Sequence, residues 1–413
     1  MLAILRKIIF TFFLTILLIV IWKSIDQIYA ATTLCTFCCN PGCDGANGGV
    51  APSPTPSPTP TPTPTPPPGG LVNAEEWPAS FTPYAATSPW NRILPDTGAI
   101  KYVNSDVIVA HAYPNTGLAP YVMDTATAGS NDYSHPIYFS TDTDPLINTI
   151  CTLYCNGLEV PAQIRIPAKA RSTGGGDHHM AIVQPDGTEI DFWGATGPYL
   201  ASNSSSTTGL DYQSGNWIKY YSGNTCGNFY TGTGFKFPDA TAGDGCLAGG
   251  VIRQSELAAG AINHALFLVT NCTSPTVHLF PSSANGGSHC TDGSGLNIPM
   301  GARVQLTLTD AQINALSVSV WQKTILHAMH RYGGYIMDTD TGGARTTRLL
   351  YYGKPESPAP YAAFGVTPPL DTQAATWGWN FTNGHYISTD NWAIDLGAYV
   401  IVVDPCYALG TCS

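Results

Sequence analysis

Residues 174–193 read GGGDHHMAIVQPDGTEIDFW, and this stretch carries the strongest prediction about the fold. The tripeptide PDG at residues 185–187 is a strong turn signal, because glycine adopts a positive φ without steric cost. On either side of the turn, large apolar residues recur at every second position, which is the period of a β-strand. We therefore predict a β-hairpin that follows a glycine-rich loop.

Alternation divides the side chains of this hairpin between two faces. One face is apolar and is predicted to lie in the core: Met180, Ile182, Ile190 and Phe192. The other face gathers residues that could bind or react, and we expect it to be an accessible sheet surface: Asp177, His179, Asp191 and Trp193. A three-residue loop would place Ala181 opposite Asp191 and His179 opposite Trp193. A four-residue loop would change these pairs and leave the alternation of each strand intact.

The whole chain has the composition of a turn-rich β protein. Only 11% of its 413 residues are charged, whereas Gly (42) and Pro (33) are abundant. We predict a mainly β fold, a β-sandwich or jelly-roll-like single domain with a few short helices. One longer helix is predicted near residues 310–332, capped by Thr309 or Asp310 and interrupted near 316–317. Its apolar positions, which begin at Val320, should face the sheet.

Charge and missing motifs exclude several classes of function. The net charge of −11 leaves no basic footprint, so we expect no nucleic-acid partner. The chain has no nucleophile elbow, zinc-protease motif, phosphate-binding loop or dinucleotide fingerprint. These absences argue against the common serine hydrolases, zinc proteases, NTPases and dehydrogenases, and we predict no cofactor.

The N-terminal residues indicate export. Arg6 and Lys7 precede an apolar run at residues 8–22, and positive charge before such a run keeps the N-terminus in the cytoplasm. Residues 1–30 are therefore predicted to be either a signal peptide cleaved after Ala30 or an uncleaved membrane anchor. The predicted location is extracytoplasmic, secreted in the first case and membrane-anchored in the second.

Three further regions follow. Residues 31–50 are rich in cysteine, and residues 51–70 are almost entirely Pro, Thr and Ser. Such a tract is expected to be a disordered, semi-rigid linker that extends by roughly 3 Å per residue. It would hold a globular, β-rich domain at residues 71–413 away from a membrane or wall.

Twelve cysteines suit an oxidising compartment. Proximity in sequence suggests four disulfides in the globular region: Cys151–Cys155, Cys226–Cys246, Cys272–Cys290 and Cys406–Cys412. The remaining cysteines form a cluster that either makes disulfides, which we favour, or binds zinc through thiolates: Cys35, Cys38, Cys39 and Cys43.

Three sequence blocks occur in a fixed order. They are the Asp-x-His-Met hairpin ending in Asp-Phe-Trp, the block GGVIRQSELAAGAINHAL at residues 249–266, and Pro-Met-Gly-Ala-Arg at residues 299–303 with the helix after it. In this order they resemble a family of exported bacterial proteins without an established activity. The likeness covers much of residues 88–340 and is carried by Asp177, His179 and His264. It implies export and supplies no mechanism.

Our first functional hypothesis is a cell-surface, carbohydrate-active enzyme, either a glycan hydrolase or a lyase. The predicted catalytic residues are His179 as acid or base, Asp177 and Asp191 as its carboxylate partners, and His264 as a second base. Trp193 would be the platform for a sugar ring, and Arg303 would neutralise a charged substrate.

Two alternatives stay open at this stage. The same aromatic face would serve a non-catalytic module that binds glycan or another envelope component. The two histidines with a carboxylate could also form a structural metal site, although we predict none. Whether the chain is an enzyme is therefore left open, while a polysaccharide and the membrane are its expected partners.

Overall fold

The computed structural model describes most of the predicted globular region, namely residues 71–112, 125–126, 132–197, 216–339, 352–382, 385–387 and 396–412. The predictions for residues 1–70 lie outside the described residues. Within the described part of the chain, no helix is both long enough and apolar enough to cross a membrane.

Short strands dominate the described residues. They are β1 (Thr125–Ala126), β2 (Ile137–Phe139), β3 (Leu146–Cys151), β4 (Gln163–Arg165), β5 (Met180–Val183), β6 (Thr188–Trp193), β7 (Trp217–Tyr220), β8 (Ser222–Asn228), β9 (Leu266–Thr270), β10 (Arg303–Leu306), β11 (Gly334–Thr339), β12 (Tyr352–Gly353), β13 (Asn380–Thr382), β14 (His385–Ile387) and β15 (Val400–Val403).

The helices are short as well. A 3₁₀ turn at Pro89–Asn91 is accompanied by α1 (Ser105–Ala112), α2 (Gln254–Ala259), α3 (Asp310–Ala315), α4 (Val320–Arg331), α5 (Ala359–Ala363), α6 (Pro369–Thr376), α7 (Leu396–Tyr399) and α8 (Cys406–Leu409). The prediction of a β-rich fold with few helices is confirmed.

The described strands form four small sheets. Their orders are β12-β9-β11-β10-β15, β2-β5-β6-β8, β4-β3-β7 and β1-β14-β13. Three neighbouring pairs are parallel, β2 with β5, β3 with β7, and β9 with β11. A jelly roll is built from antiparallel strands, so the observed mixture does not confirm that topology.

The four-stranded sheet is a middle layer, because each of its faces packs on another sheet. Ala181 and Val183 share one apolar cluster with Phe267 and Val269 of the five-stranded sheet. On the opposite face, the apolar residues of β5 and β6 pack on the β4-β3-β7 sheet. The far face of the five-stranded sheet is covered by helices, chiefly α4.

The predicted long helix is two helices. Thr309 caps α3 and Ser319 caps α4, each in a capping box with a glutamine three residues later. The predicted interruption therefore falls between them. Val320 was expected to face the sheet, but it is 72% exposed because it occupies the first turn of α4.

The four predicted disulfides of the globular region are all present.

The indole of Trp90 joins the layers, and its removal should be costly. Trp90 is 1% exposed, stacks on Phe235 at 4.8 Å and donates from Nε1 to the carbonyl of Gly234 at 3.0 Å. Trp90→Ala should lower the free energy of unfolding by about 3–5 kcal/mol, measured by urea denaturation. The exposed control Val320→Ala should change it by less than about 0.5 kcal/mol. Equal midpoints for the two variants would contradict this role.

Candidate functional site

The hairpin has the register of the three-residue loop. Ala181 pairs with Asp191, and Ile182 pairs with Ile190. The turn is held by the amide of Thr188, which donates to the Asp186 carboxylate at 2.9 Å, and by Gly187 at a φ of 85°. The predicted division of side chains between two faces is therefore correct.

The expectation that the polar face is accessible is wrong for its central residues. His179 is 2% exposed and Asp191 is fully buried. The reason is the layered architecture, since residues 239–248 and the five-stranded sheet cover this face. Only Asp177 and Trp193, at the end of the hairpin beyond this cover, are partly exposed.

Asp191 belongs to a buried carboxylate cluster, which we define as Glu189, Asp191 and Asp239. The Leu247 amide donates to Asp191 Oδ2 at 2.7 Å, and the Tyr84 hydroxyl donates to Glu189 Oε2 at 2.8 Å. The amide of Ala248 donates to Glu189 Oε1 at 3.2 Å, and that of Ala240 donates to Asp239 Oδ1 at 2.7 Å.

The disulfide Cys226–Cys246 borders this cluster. Cys226 Sγ lies 2.9 Å from Asp239 Oδ2 and 3.2 Å from Asp191 Oδ2. Ligand atoms of the two aspartates and the two cysteines all lie within 4.8 Å of one another, an arrangement that could hold a metal ion. The sulfurs are bonded to each other, however, and zinc requires thiolates. In the oxidised protein the group offers two carboxylates.

Burial keeps protons on this cluster. It raises the pKa of Glu189 to about 7, and burial together with repulsion from Glu189 raises the pKa of Asp191 well above its ordinary value. Burial likewise raises the pKa of Asp239 well above its ordinary value. A protonated carboxyl group carries no charge, so this cluster can be buried without a counter-ion.

His179 faces a second buried histidine, although not the predicted one. Its Nε2 donates to the carbonyl of Ala240 at 3.3 Å, and its ring meets the ring of His135 edge to face at 5.1 Å. Burial lowers the pKa of His179 to about 4, a shift that the nearby Asp177 carboxylate opposes. The imidazole is therefore neutral near pH 7. His135 had no sequence signal, because only the tertiary fold brings β2 beside β5.

His264 lies in a different contact network. Its Nε2 is 3.1 Å from Glu256 Oε1, and Glu256 also pairs with the buried guanidinium of Arg253. Burial favours a raised pKa for Glu256, but the charges of Arg253 and His264 outweigh it and lower that pKa to about 2. The contacts of His264 are therefore those of a buried ion-pair network that fixes α2 against β9.

Arg303 is also buried. Its Nε donates to the carbonyl of Tyr332 at 2.8 Å, Nη2 donates to the carbonyl of Arg92, and the guanidinium lies over the ring of Tyr335 at 5.2 Å. It therefore has no route to a charged substrate. Its hydrogen bonds instead fix the backbone of neighbouring segments.

Trp193 and Asp177 meet at the surface, and the structure adds two tyrosines to them. Trp193 Nε1 donates to Asp177 Oδ1 at 3.3 Å. The ring of Tyr154 stacks on Trp193 with centroids 5.8 Å apart and planes 16° apart, and Tyr221 meets Trp193 edge on at 5.4 Å. We call the three rings Tyr154, Trp193 and Tyr221 the aromatic platform.

Local structure holds the aromatic platform in place. Tyr154 lies inside the small loop closed by Cys151–Cys155, and its amide donates to the carbonyl of Tyr221 at 2.8 Å. The ring of Tyr221 lies over Gly194, where a Cβ would be 2.2 Å from Tyr221 Cδ2. The sequence carried one signal for the platform, because Tyr154 is one of only three residues between the paired Cys151 and Cys155, and so small a loop cannot bury a ring within itself.

Comparison with known proteins does not assign this chain to a family. No family model, no curated protein and no solved structure matches the chain.

The carboxylate cluster predicts a pH dependence of stability. The unfolded chain releases the Glu189 proton near its ordinary pKa of 4.5, whereas the folded chain retains it to about 7. The free energy of unfolding should therefore fall as the pH rises through this window. Glu189→Gln, which has no charge to develop, should reduce the fall, as measured by urea denaturation at about pH 5 and about pH 8.

The matched control is Glu75→Gln, which removes an exposed carboxylate and should leave the pH dependence as it is in the unmodified chain. If Glu189→Gln and Glu75→Gln gave the same pH dependence, the carboxylate cluster would not store protons in the folded state.

Proposed function

We propose that this chain is an exported cell-surface protein that binds envelope polysaccharide through the aromatic platform and does not cleave it. The observation that carries the proposal is the pair of stacked rings, Tyr154 and Trp193, beside the Asp177 carboxylate. The C–H face of a sugar ring packs against such aromatic surfaces, and a carboxylate accepts hydrogen bonds from sugar hydroxyls.

Exposure supports a binding role for this surface. Tyr154 is 59% exposed, and Tyr221 is also exposed. Contiguous exposed aromatic rings on a soluble domain are typical of an interaction site. Because the disulfide and the Tyr154–Tyr221 backbone hydrogen bond hold the rings in advance, little conformational entropy would be lost on binding.

The burial of the predicted catalytic residues favours binding over cleavage. A general acid or base must come within about 3 Å of the proton that it transfers. His179, Asp191 and His264 are buried, and each has contacts inside the protein. Of the four predicted catalytic residues, only Asp177 reaches the platform. The enzyme hypothesis is therefore our second candidate, and product analysis tests it directly.

Export fits the same function. The positive charges before the apolar run at residues 8–22 and the Pro-Thr tract at residues 51–70 would place the binding domain outside the membrane, on a spacer. The four disulfides of the described region suit an oxidising compartment.

Tyr154→Ala should lower the affinity for glycan by about fivefold or more, because a stacking ring in a binding site often contributes more than about 1 kcal/mol. The measurement is retention of the full-length chain on insoluble cell-envelope polysaccharide, with the soluble fraction assayed for new reducing ends and unsaturated sugars. We expect retention without either product.

The matched control is Tyr399→Ala, which removes an exposed tyrosine at the end of α7 and should retain full binding. Equal retention of the Tyr154 and Tyr399 variants would show that the aromatic platform does not bind the glycan. New reducing ends or unsaturated sugars that disappear in His179→Gln would replace the binding hypothesis with the enzyme hypothesis.

The loop disulfide should matter for binding more than for stability. Replacing Cys151 and Cys155 together by serine opens a loop of only four residues' separation, and short loops restrict the unfolded chain least. The double variant should lose several-fold in retention while its urea midpoint stays close to that of the unmodified chain. A large fall in the midpoint with full retention would contradict this division of roles.

A further inference from the structure

A second open site lies beside the 3₁₀ turn at Pro89–Asn91. It is a cleft of ≈ 440 Å³, within the range of about 300–1,000 Å³ usual for ligand sites. We define it as the aromatic cleft by the residues that face it and carry the argument: Arg92, Phe235, Phe237, Asp244, Phe280 and Ser283.

Phenylalanine rings form the walls of the aromatic cleft. Phe237 is 54% exposed and Phe280 is 43% exposed, although such rings are normally buried. Phe235 is the rigid wall, because it stacks on the buried Trp90 with centroids 4.8 Å apart and planes 9° apart. The exposed rings of Phe237 and Phe280, together with the fixed ring of Phe235, form an apolar surface on which the face of a ring-shaped ligand can pack.

Hydrogen-bonding groups are fixed inside the cleft. Asp244 is almost fully buried and has a left-handed backbone at a φ of 64°. Its Oδ2 accepts from the amide of Ser283 at 3.0 Å and from the Ser283 hydroxyl at 3.1 Å. The carboxylate and hydroxyl are thus held in one orientation, which suits a ligand with hydroxyl groups.

Arg92 provides positive charge that no described carboxylate neutralises. Its Nε donates to the carbonyl of Thr87 at 2.9 Å, and among the described residues no aspartate or glutamate forms an ion pair with it. The neighbouring Lys236, in contrast, pairs with Glu159 at 2.7 Å. An arginine that forms no ion pair with the described residues is suited to the carboxylate of a ligand.

The protein positions Arg92 from its interior. The buried guanidinium of Arg303 donates to the carbonyl of Arg92. The Arg92 fork also lies against Gly410 at the end of α8, where a Cβ would be 1.6 Å from Arg92 Nη1. The sequence suggested that Arg303 neutralises a charged substrate. The structure gives this role to Arg92, and Arg303 holds the backbone of Arg92 in place.

We propose that the aromatic cleft binds a uronic acid residue of an acidic polysaccharide. The sugar carboxylate pairs with Arg92, the ring packs between Phe237 and Phe280, and a ring hydroxyl hydrogen-bonds with the Asp244–Ser283 pair. This inference rests on the proposed glycan-binding function and specifies the substrate class as acidic.

The segment at residues 151–159 connects the two surfaces. It carries Tyr154 of the aromatic platform at one end and, at the other, Glu159, which pairs with Lys236 on the rim of the cleft. Gly157 lies against Pro238, the residue after Phe237. One short backbone segment is therefore in contact with the rim of the cleft and carries a ring of the platform.

The test compares binding of trigalacturonate and of the neutral maltotriose to the full-length chain by isothermal titration calorimetry. The unmodified chain should bind trigalacturonate at least tenfold more tightly than maltotriose. Arg92→Gln and Phe237→Ala should each lower trigalacturonate affinity at least tenfold. Phe237 is exposed, so its variant tests the site even if Arg92→Gln alters the fold.

The matched control is Arg331→Gln, which removes an exposed arginine that pairs with Asp310 and should not change the affinity. Unchanged trigalacturonate affinity in the Arg92 and Phe237 variants, or no preference for the acidic trisaccharide, would overturn the proposal. Tyr154→Ala separates the cleft proposal from the platform proposal. If Tyr154→Ala abolishes trigalacturonate binding and Arg92→Gln retains it, the cleft proposal is wrong and the platform is the binding site. If Arg92→Gln abolishes binding and Tyr154→Ala retains it, the cleft is the binding site and the platform is not.

Discussion

The hairpin at residues 180–193 is buried on both faces, and the rest of the structure depends on that constraint. Apolar packing covers one face, while the other must accommodate Glu189 and Asp191. A buried carboxylate is costly unless it is hydrogen-bonded, paired or protonated. Backbone amides of residues 239–248 and the hydroxyl of Tyr84 donate hydrogen bonds to these carboxyl groups. Their raised pKa values favour the protonated, uncharged forms.

Because both faces of the hairpin are buried, its polar interior is separate from the surface that a ligand can contact. Residues that look reactive in the sequence, such as His179 and His264, are used inside the protein to satisfy polar contacts between layers. The groups left in solvent at the hairpin end are aromatic rings and one carboxylate. We therefore propose that a ligand meets the hairpin at its exposed end, where the layers no longer cover it.

Local features could be predicted from the sequence, because residues close in the chain determine them. The PDG turn sets the register of the hairpin, Thr309 caps α3, and pairs such as Cys151–Cys155 are near neighbours. The burial of the second hairpin face could not be predicted. It depends on Phe267 and Leu247, which are distant in sequence, and alternation alone does not distinguish solvent from a second core. The pairing of His135 with His179 depends on the same long-range packing.

The most direct test is an NMR titration of the full-length chain, labelled with fluorotryptophan and with ¹³C-histidine, against soluble fragments of cell-envelope polysaccharide. We expect the Trp193 resonance to shift with added ligand, whereas the resonances of His179 and His264 should not move. Shifts centred on His179 and His264, with Trp193 unaffected, would contradict this expectation, because the ligand would then enter the polar interior and not the exposed edge of the hairpin.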